Sequence, residues 1–137
     1  MIVLVGPKDS RAVRNKDNVL ALYEMMINQK KSEEATAKFV SPVYIQHNPI
    51  IPDGSVALGQ FFGKVTRERE RARVVVHHII AVGDYVWAHV NFLNLFNDAR
   101  RIRESPVSIS TKWTPTERRS NIGTPCNWSG TRRTQPR

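Results

Sequence analysis

Residues 44–54 read Tyr-Ile-Gln-His-Asn-Pro-Ile-Ile-Pro-Asp-Gly, and the rest of the chain is best interpreted from this stretch. Its first residues alternate in character, which predicts a strand with two different faces. Pro49 should end the strand because proline has no backbone N–H, and the closing Pro-Asp-Gly is typical of a turn. Four side chains would meet at this strand end: Tyr44, Gln46, His47 and Asn48. Such a group either lines a pocket or only satisfies nearby backbone groups.

Three helices are predicted on either side of this strand, from apolar residues that recur at helical spacing. They are expected over residues 16–28, 33–39 and 55–71, with Asn15, Ser32 and Ser55 as their N-caps. In the third helix, Gly59 and Gly63 lie one turn apart, so this helix is expected to approach a neighbouring backbone closely.

Two strands over residues 73–82 and 85–96 are predicted from their β-branched and aromatic residues. Gly83-Asp84 between them is suited to a tight turn, so the strands should form an antiparallel hairpin. One face of the second strand would carry Tyr85, Trp87, His89 and Asn91. This face suits either the lining of a cavity or a sheet with one wetted side. His77 and His78 are adjacent and should point to opposite faces, so no two-histidine metal site is expected there.

The 44–54 stretch, the apolar helix after it and Gly83-Asp84-Tyr85-Val86 resemble the SnoaL-like branch of the nuclear transport factor 2-like superfamily. The resemblance spans residues 15–97, within a domain assigned to residues 15–98 after a leader of residues 1–14. It implies an α+β fold, in which three N-terminal helices pack on a cone-shaped, curved antiparallel sheet around an apolar pocket. It also implies a polyketide cyclase that performs an aldol condensation on a small hydrophobic or polyketide-like ligand, without metal or cofactor. Homodimers are common in this family.

On the strength of this resemblance, His47 and His89 are the expected catalytic residues, since a neutral imidazole can accept a proton alpha to a carbonyl. The pocket is expected to be lined by Tyr44, Gln46, Asn48, Trp87 and Asn91. The acid/base aspartate that the family carries on its last strand has no counterpart in this chain. Whether the chain is an enzyme therefore stays open, and the alternative is a non-catalytic ligand-binding or dimerisation module of the same fold.

The last part of the chain differs from the rest in composition. The net charge is +9, but residues 1–98 carry only +2 of it and residues 99–137 carry +7. A basic tail rich in Arg, Thr, Ser and Pro is typical of a disordered segment. Such a tail can bind nucleic acid through phosphates, but it has few aromatic residues for base stacking, so no specific nucleic-acid partner is expected.

A change of reading frame offers a sharper explanation of this tail. Triplets built from the third base of each codon and the first two of the next allow GVDIYKMDADGKAIEHWDTLQLVG over residues 107–130. The codons of Trp113-Thr114 force an aspartate, and those of Asn127-Trp128 force a leucine. The result resembles the closing hairpin of the SnoaL-like family, so a frameshift between about residues 97 and 104 is predicted to have removed the C-terminal strands and impaired the chain.

Two further observations limit the class of protein. No apolar run is long enough to span a membrane, so no membrane association is expected. The single cysteine, Cys126, excludes an intrachain disulfide framework and favours a reducing, cytoplasmic location.

Overall fold

The computed structural model describes residues 1–45, residues 51–95 and the backbone of residues 106–112. Three helices and one four-stranded sheet form the α+β fold that was predicted. The elements are β1 (Ile2–Val5), α1 (Ser10–Tyr23) with a π-helical turn at Glu24–Asn28, α2 (Ser32–Phe39), α3 (Ser55–Glu68), β2 (Arg73–Val82), β3 (Tyr85–Leu93) and β4 (Pro106–Lys112). The strands lie in the order β1-β2-β3-β4, with β1 parallel to β2 and the other pairs antiparallel. No helix in the described part has both the length and the apolar character needed to cross a bilayer.

The β2–β3 hairpin is confirmed, with Val82 opposite Tyr85 across a two-residue turn. Gly83 has a φ of 55°, a left-handed conformation that glycine adopts without steric cost. β3 ends at Leu93 because Asn94 is also left-handed, with a φ of 55°. A β-bulge interrupts β2: Val76 pairs with Val90 and His78 with His89, which leaves His77 as the extra residue.

The core lies between α1 and one face of this hairpin. Val86, Ala88 and Val90 alternate along β3 and are at most 1% exposed. Tyr23 of α1 packs its ring edge-on against Phe92, with the ring centroids 6.3 Å apart. The opposite face of β3 therefore belongs to Tyr85, Trp87, His89 and Asn91, as the alternation predicted.

The first helix begins earlier than predicted, and its cap is Asp9 rather than Asn15. The Asp9 carboxylate accepts the N–H of Ala12 at 2.9 Å and, through its other oxygen, the N–H of Gly83 at 3.0 Å. Asn15 is fully buried and donates its amide to the Gly83 carbonyl at 3.0 Å. Residues 1–14 thus contain β1 and the first turn of α1, where a loose leader was expected. The reason is tertiary, because both side chains hold a turn that is distant in sequence.

The second helix also has a different cap. Ser32 is its first residue, Lys31 is its N-cap, and the Ser32 hydroxyl donates to the Met26 carbonyl at 2.6 Å. The π-helical turn redirects the carbonyls at the end of α1, so Ser32 satisfies one of them instead of capping its own helix. In the third helix, Gly54 rather than Ser55 is the N-cap.

The predicted strand at residues 43–45 is not formed. The Tyr44 N–H donates to the Ser41 carbonyl at 3.1 Å, and the Tyr44 carbonyl accepts from the Gly54 N–H at 2.8 Å. These bonds close a turn and anchor the start of α3, so the Tyr44 backbone has no ladder to join. The alternation itself is present, since Tyr44 is 4% exposed while Val43 and Ile45 are 60% and 52% exposed. Residues 46–50, including the predicted end of the strand, lie outside the described residues.

The two glycines of α3 face α2 closely, as predicted. A methyl group on Gly59 would collide with the Thr36 hydroxyl and lie 3.1 Å from the Glu33 Cα atom. For a methyl group on Gly63, the three nearest atoms all belong to the carboxylate group of Glu33. The α2–α3 contact is therefore tightest at Gly59, where the neighbouring backbone itself is the obstacle.

The prediction that both C-terminal strands are missing is wrong for one of them, because β4 is present. Residues 106–112 pair with β3 from Asn91 to Tyr85, so one closing strand is present where both were expected to be missing. Backbone hydrogen bonding explains this, because the edge of β3 offers unpaired N–H and C=O groups to any segment of suitable β propensity. The prediction for the second closing strand falls on residues 113–137, which lie outside the described residues.

Candidate functional site

The candidate site lies on the face of the β2–β3 hairpin that is turned away from α1. Cross-strand pairs on this face join His78 to His89 and Ile80 to Trp87. The Trp87 and His89 rings have centroids 6.4 Å apart and are tilted by 37°. Both side chains are half-buried, so the face combines an aromatic surface with a titratable group.

The β-bulge at His77 gives His89 two histidine neighbours. The His77 and His78 rings lie with their centroids 5.4 Å and 5.2 Å from that of His89. The prediction that adjacent histidines cannot approach one site is therefore wrong. It assumed an uninterrupted strand, whereas a bulge sets two consecutive residues of one strand against a single residue of its partner.

His78 and His89 form a hydrogen-bonded pair. Their Nδ1 atoms are 3.0 Å apart and the rings are nearly parallel, with an angle of 4° between their planes. One Nδ1 must carry a proton and donate it to the other, because two lone pairs cannot bond. Partial burial lowers the pKa of His89, and the neighbouring His78 and His77 lower it further. His89 is consequently a neutral imidazole at pH 7, the form that accepts protons.

Asn91 lies two residues beyond His89 on the same face. It is 8% exposed, and its side-chain carbonyl has no hydrogen-bond partner among the described residues. A buried amide oxygen without a partner is unfavourable, so a ligand hydroxyl or a water molecule would be stabilised there. The register places Asn91 opposite Val75 on β2, beyond the histidines and away from the hairpin turn.

Among the described residues, Tyr44 is the other predicted site residue, and it is not brought to this face. Tyr44 belongs to the buried core that contains Val86, Ala88 and Val90, on the α1 side of the sheet. Trp87, His89 and Asn91 lie on the opposite side. Gln46, His47 and Asn48 lie outside the described residues, so their predicted roles stay predictions.

A shallow cleft of about 410 Å³ lies at the far end of the hairpin, lined by Glu70, Arg71, Ala72, Arg73 and Asn94, and it contains none of the predicted site residues. In the described part of the chain, no group of three or more His, Cys, Asp or Glu residues is arranged to hold a metal ion. The cluster of His77, His78 and His89 is thus not arranged as a metal site, although three histidines are of the right residue type.

Sequence reasoning placed His89, Trp87 and Asn91 on one face of β3, as the register has them, but missed His77 and His78 as neighbours of His89. The only local signal is the consecutive pair of histidines within a run of β-branched residues. A β-bulge without glycine has no reliable sequence signature, so the approach of both histidines to His89 became apparent only from the register of β2 against β3.

Comparison with known proteins supports the fold. No protein-family description and no curated protein matches the chain. Among solved structures, a candidate polyketide cyclase from Bacillus cereus is similar, with a TM-score of 0.64 and 16% identity over 88% of this chain and 79% of that one. A candidate SnoaL-like polyketide cyclase from a Jannaschia species has a TM-score of 0.58 and 16% identity, over 85% of this chain and 86% of that one. TsrD from Streptomyces laurentii has a TM-score of 0.52 and 13% identity, over 84% of this chain and 86% of that one.

These likenesses define the class of fold. The chain has the α+β fold of the SnoaL-like polyketide cyclases, as the sequence resemblance implied. At identities of 13–16% the similarity concerns the fold alone, so the chemistry has to be argued from the residues of this chain.

Proposed function

We propose that this chain is a small-molecule enzyme of the SnoaL-like, polyketide cyclase type, in which His89 acts as a general base without metal or cofactor. The observation that carries the proposal is the lowered pKa of His89 in a half-buried, aromatic setting. A base that is neutral at pH 7 and partly shielded from water suits proton abstraction alpha to a carbonyl. The ligand class is a small hydrophobic or polyketide-like ketone.

The neighbouring residues supply the other requirements of an aldol condensation. The enolate that forms after proton abstraction needs a hydrogen-bond donor, and the Asn91 amide lies on the same face. Trp87 offers an apolar wall on which a planar ligand can pack. The predicted role of His47 as a second acid/base group belongs to the same proposal.

The tail limits the activity of the chain as it stands. The family resemblance associates an acid/base aspartate with the last strand, and its counterpart appears only in the shifted reading frame of residues 107–130. We therefore infer that the chain turns over substrate more slowly than a version in which that frame is restored. The proposal also places the protein in the cytoplasm, because Cys126 has no partner cysteine within the chain.

Turnover of an activated ketone by the frame-restored version tests the function. His89→Ala and His47→Ala should each lower kcat by about 10²–10⁴-fold, the range typical of a general acid–base group. Val82→Ala is the matched control, since Val82 lies on the same face, is 68% exposed and carries no titratable group. Equal kcat in parent and His89→Ala, with unchanged melting temperatures, would remove His89 from the mechanism.

A second candidate function is supported by the exposed apolar residues of the same face. Ile80, Val82 and Tyr85 are 36%, 68% and 57% exposed, and Val82 and Tyr85 are cross-strand partners. A face of this kind suits a homodimer in a non-catalytic ligand-binding or dimerising module. Sedimentation equilibrium distinguishes the two functions: a dimer that Val82→Glu dissociates, together with no turnover in any version, would favour the module.

A further inference from the structure

The bulge in β2 has a chemical consequence for the imidazole of His89. Its Nδ1 atom is engaged by His78, so the two ring nitrogens of His89 are not equivalent. If His89 donates through Nδ1, its Nε2 carries a lone pair and can accept a proton. If the direction is reversed, Nε2 carries the proton and the ring cannot act as a base at that atom.

We propose that His78 is a positioning residue, which accepts the Nδ1 proton of His89 and so presents the Nε2 lone pair of His89 as the proton acceptor. This inference rests on the proposed function, in which His89 is the base. It is the role that a carbonyl or carboxylate performs for other reactive histidines, here carried out by a second imidazole. The Nδ1 atoms are 3.0 Å apart while the ring centroids are 5.2 Å apart, so the two nitrogens point toward each other and the rings meet edge to edge rather than face to face.

His77 provides the internal comparison. Its ring centroid is 5.4 Å from that of His89, against 5.2 Å for His78, and both neighbours lower the pKa of His89. Among the described residues, however, the hydrogen-bonded partner of His89 is His78. Both histidines therefore lower the pKa of His89, and they differ in whether they bond to it.

Among the described side chains, few other groups could set the tautomer. On β2, the titratable groups facing His89 are His77 and His78. On β3, its neighbours on the same face are Trp87 and Asn91, which do not titrate. The register with β4 places Ser108 opposite His89, and serine does not titrate either.

Nitrogen-15 NMR of the imidazoles in the full 137-residue chain tests the assignment directly. In the parent, His89 should be mostly in the Nδ1–H form above pH 7. In His78→Phe the ratio of Nδ1–H to Nε2–H should fall about 5- to 10-fold, the factor that one net hydrogen bond supports. His78→Gln should retain the parent ratio, since its amide oxygen can accept the same proton, and His77→Phe should leave the tautomer unchanged.

Three results would overturn the inference: a parent His89 that is mostly Nε2–H, a His78→Phe variant with the parent ratio, or a His77→Phe variant that changes the ratio as much as His78→Phe does. Thermal melts of the three variants identify any loss of fold, and a folded His78→Gln keeps the test decisive if His78→Phe does not fold. The tautomer measurement is independent of turnover. If the Nδ1–H tautomer is confirmed but His89→Ala keeps full activity, the proposed function alone is refuted. If His89→Ala loses activity but His78→Phe leaves the tautomer unchanged, this inference alone is refuted.

Discussion

Substitution of the two glycines of α3 by alanine should have opposite effects on stability, although the change is chemically the same. In a helix interior, alanine is favoured over glycine by about 1 kcal/mol, so both substitutions begin with the same gain. They differ in what the new methyl group meets on α2. The contrast therefore isolates the packing of the α2–α3 contact from helix propensity.

At Gly59 the methyl group collides with the buried Thr36 hydroxyl and lies 3.1 Å from the Glu33 Cα atom and 3.5 Å from the Ser32 carbonyl oxygen. Two of these three atoms belong to the backbone, so the helices must separate slightly. Overpacking of this kind costs about 1–3 kcal/mol. After the propensity gain, Gly59→Ala should be destabilising by up to about 2 kcal/mol.

At Gly63 the three nearest atoms all belong to the Glu33 carboxylate group, which can rotate away. This movement would break the ion pair between Glu33 and Arg67, in which Oε1 and Nη1 are 3.0 Å apart. The pair is exposed to solvent, with the Arg67 side chain 65% and the Glu33 side chain 49% exposed. Such a pair contributes about 0–1 kcal/mol. Gly63→Ala should therefore be neutral or stabilising by up to about 1 kcal/mol.

Thermal unfolding followed by circular dichroism measures both variants against the parent. For a domain of this size, each kcal/mol moves Tm by about 4 °C, so Gly59→Ala should melt below Gly63→Ala by several degrees. The double change Thr36→Ala/Gly59→Ala tests the cause: Thr36→Ala removes the hydroxyl oxygen that the new methyl group would meet, so Gly59→Ala should cost less stability in the Thr36→Ala background than in the parent. A Gly59→Ala variant that melts at or above Gly63→Ala would refute the close approach of α2 and α3.

The remaining predictions concern the tail and the Asp9 carboxylate, which joins the start of α1 to the Gly83 turn. Hydrogen bonds from the Ala12 and Gly83 N–H groups lower the pKa of Asp9 in the folded state. The Asp9 carboxylate therefore stabilises the fold at pH values above its unfolded pKa. This stabilisation is lost as the pH falls through its folded pKa. Asp9→Asn should therefore melt below the parent at pH 7 and approach it below about pH 4, and a constant difference across this range would contradict the assignment. Sequencing of the source gene should reveal one inserted or deleted base between codons 97 and 104 relative to the frame of residues 1–96. Homologues that share the tail of residues 113–137 in an intact frame would exclude the frameshift.

Features that depend on local pattern were determined by the sequence alone. The hairpin follows from two β-branched runs on either side of Gly83-Asp84, and the two faces of β3 follow from strict alternation. The close approach of α2 and α3 follows from two glycines one turn apart. In each case the signal lies within a few residues of the sequence, so short-range geometry is sufficient to predict the feature, although it does not name the partner helix of the glycines.

Features that depend on distant partners were decided only by the tertiary structure. Asp9 and Asn15 are indistinguishable from ordinary cap candidates until the Gly83 turn is placed beside them. Tyr44 lies in a turn rather than a strand because its carbonyl bonds to Gly54. His77 and His78 both approach His89 because β2 shifts its register against β3 by one residue. Register is a property of two strands together, so no periodicity within one of them can reveal where it changes.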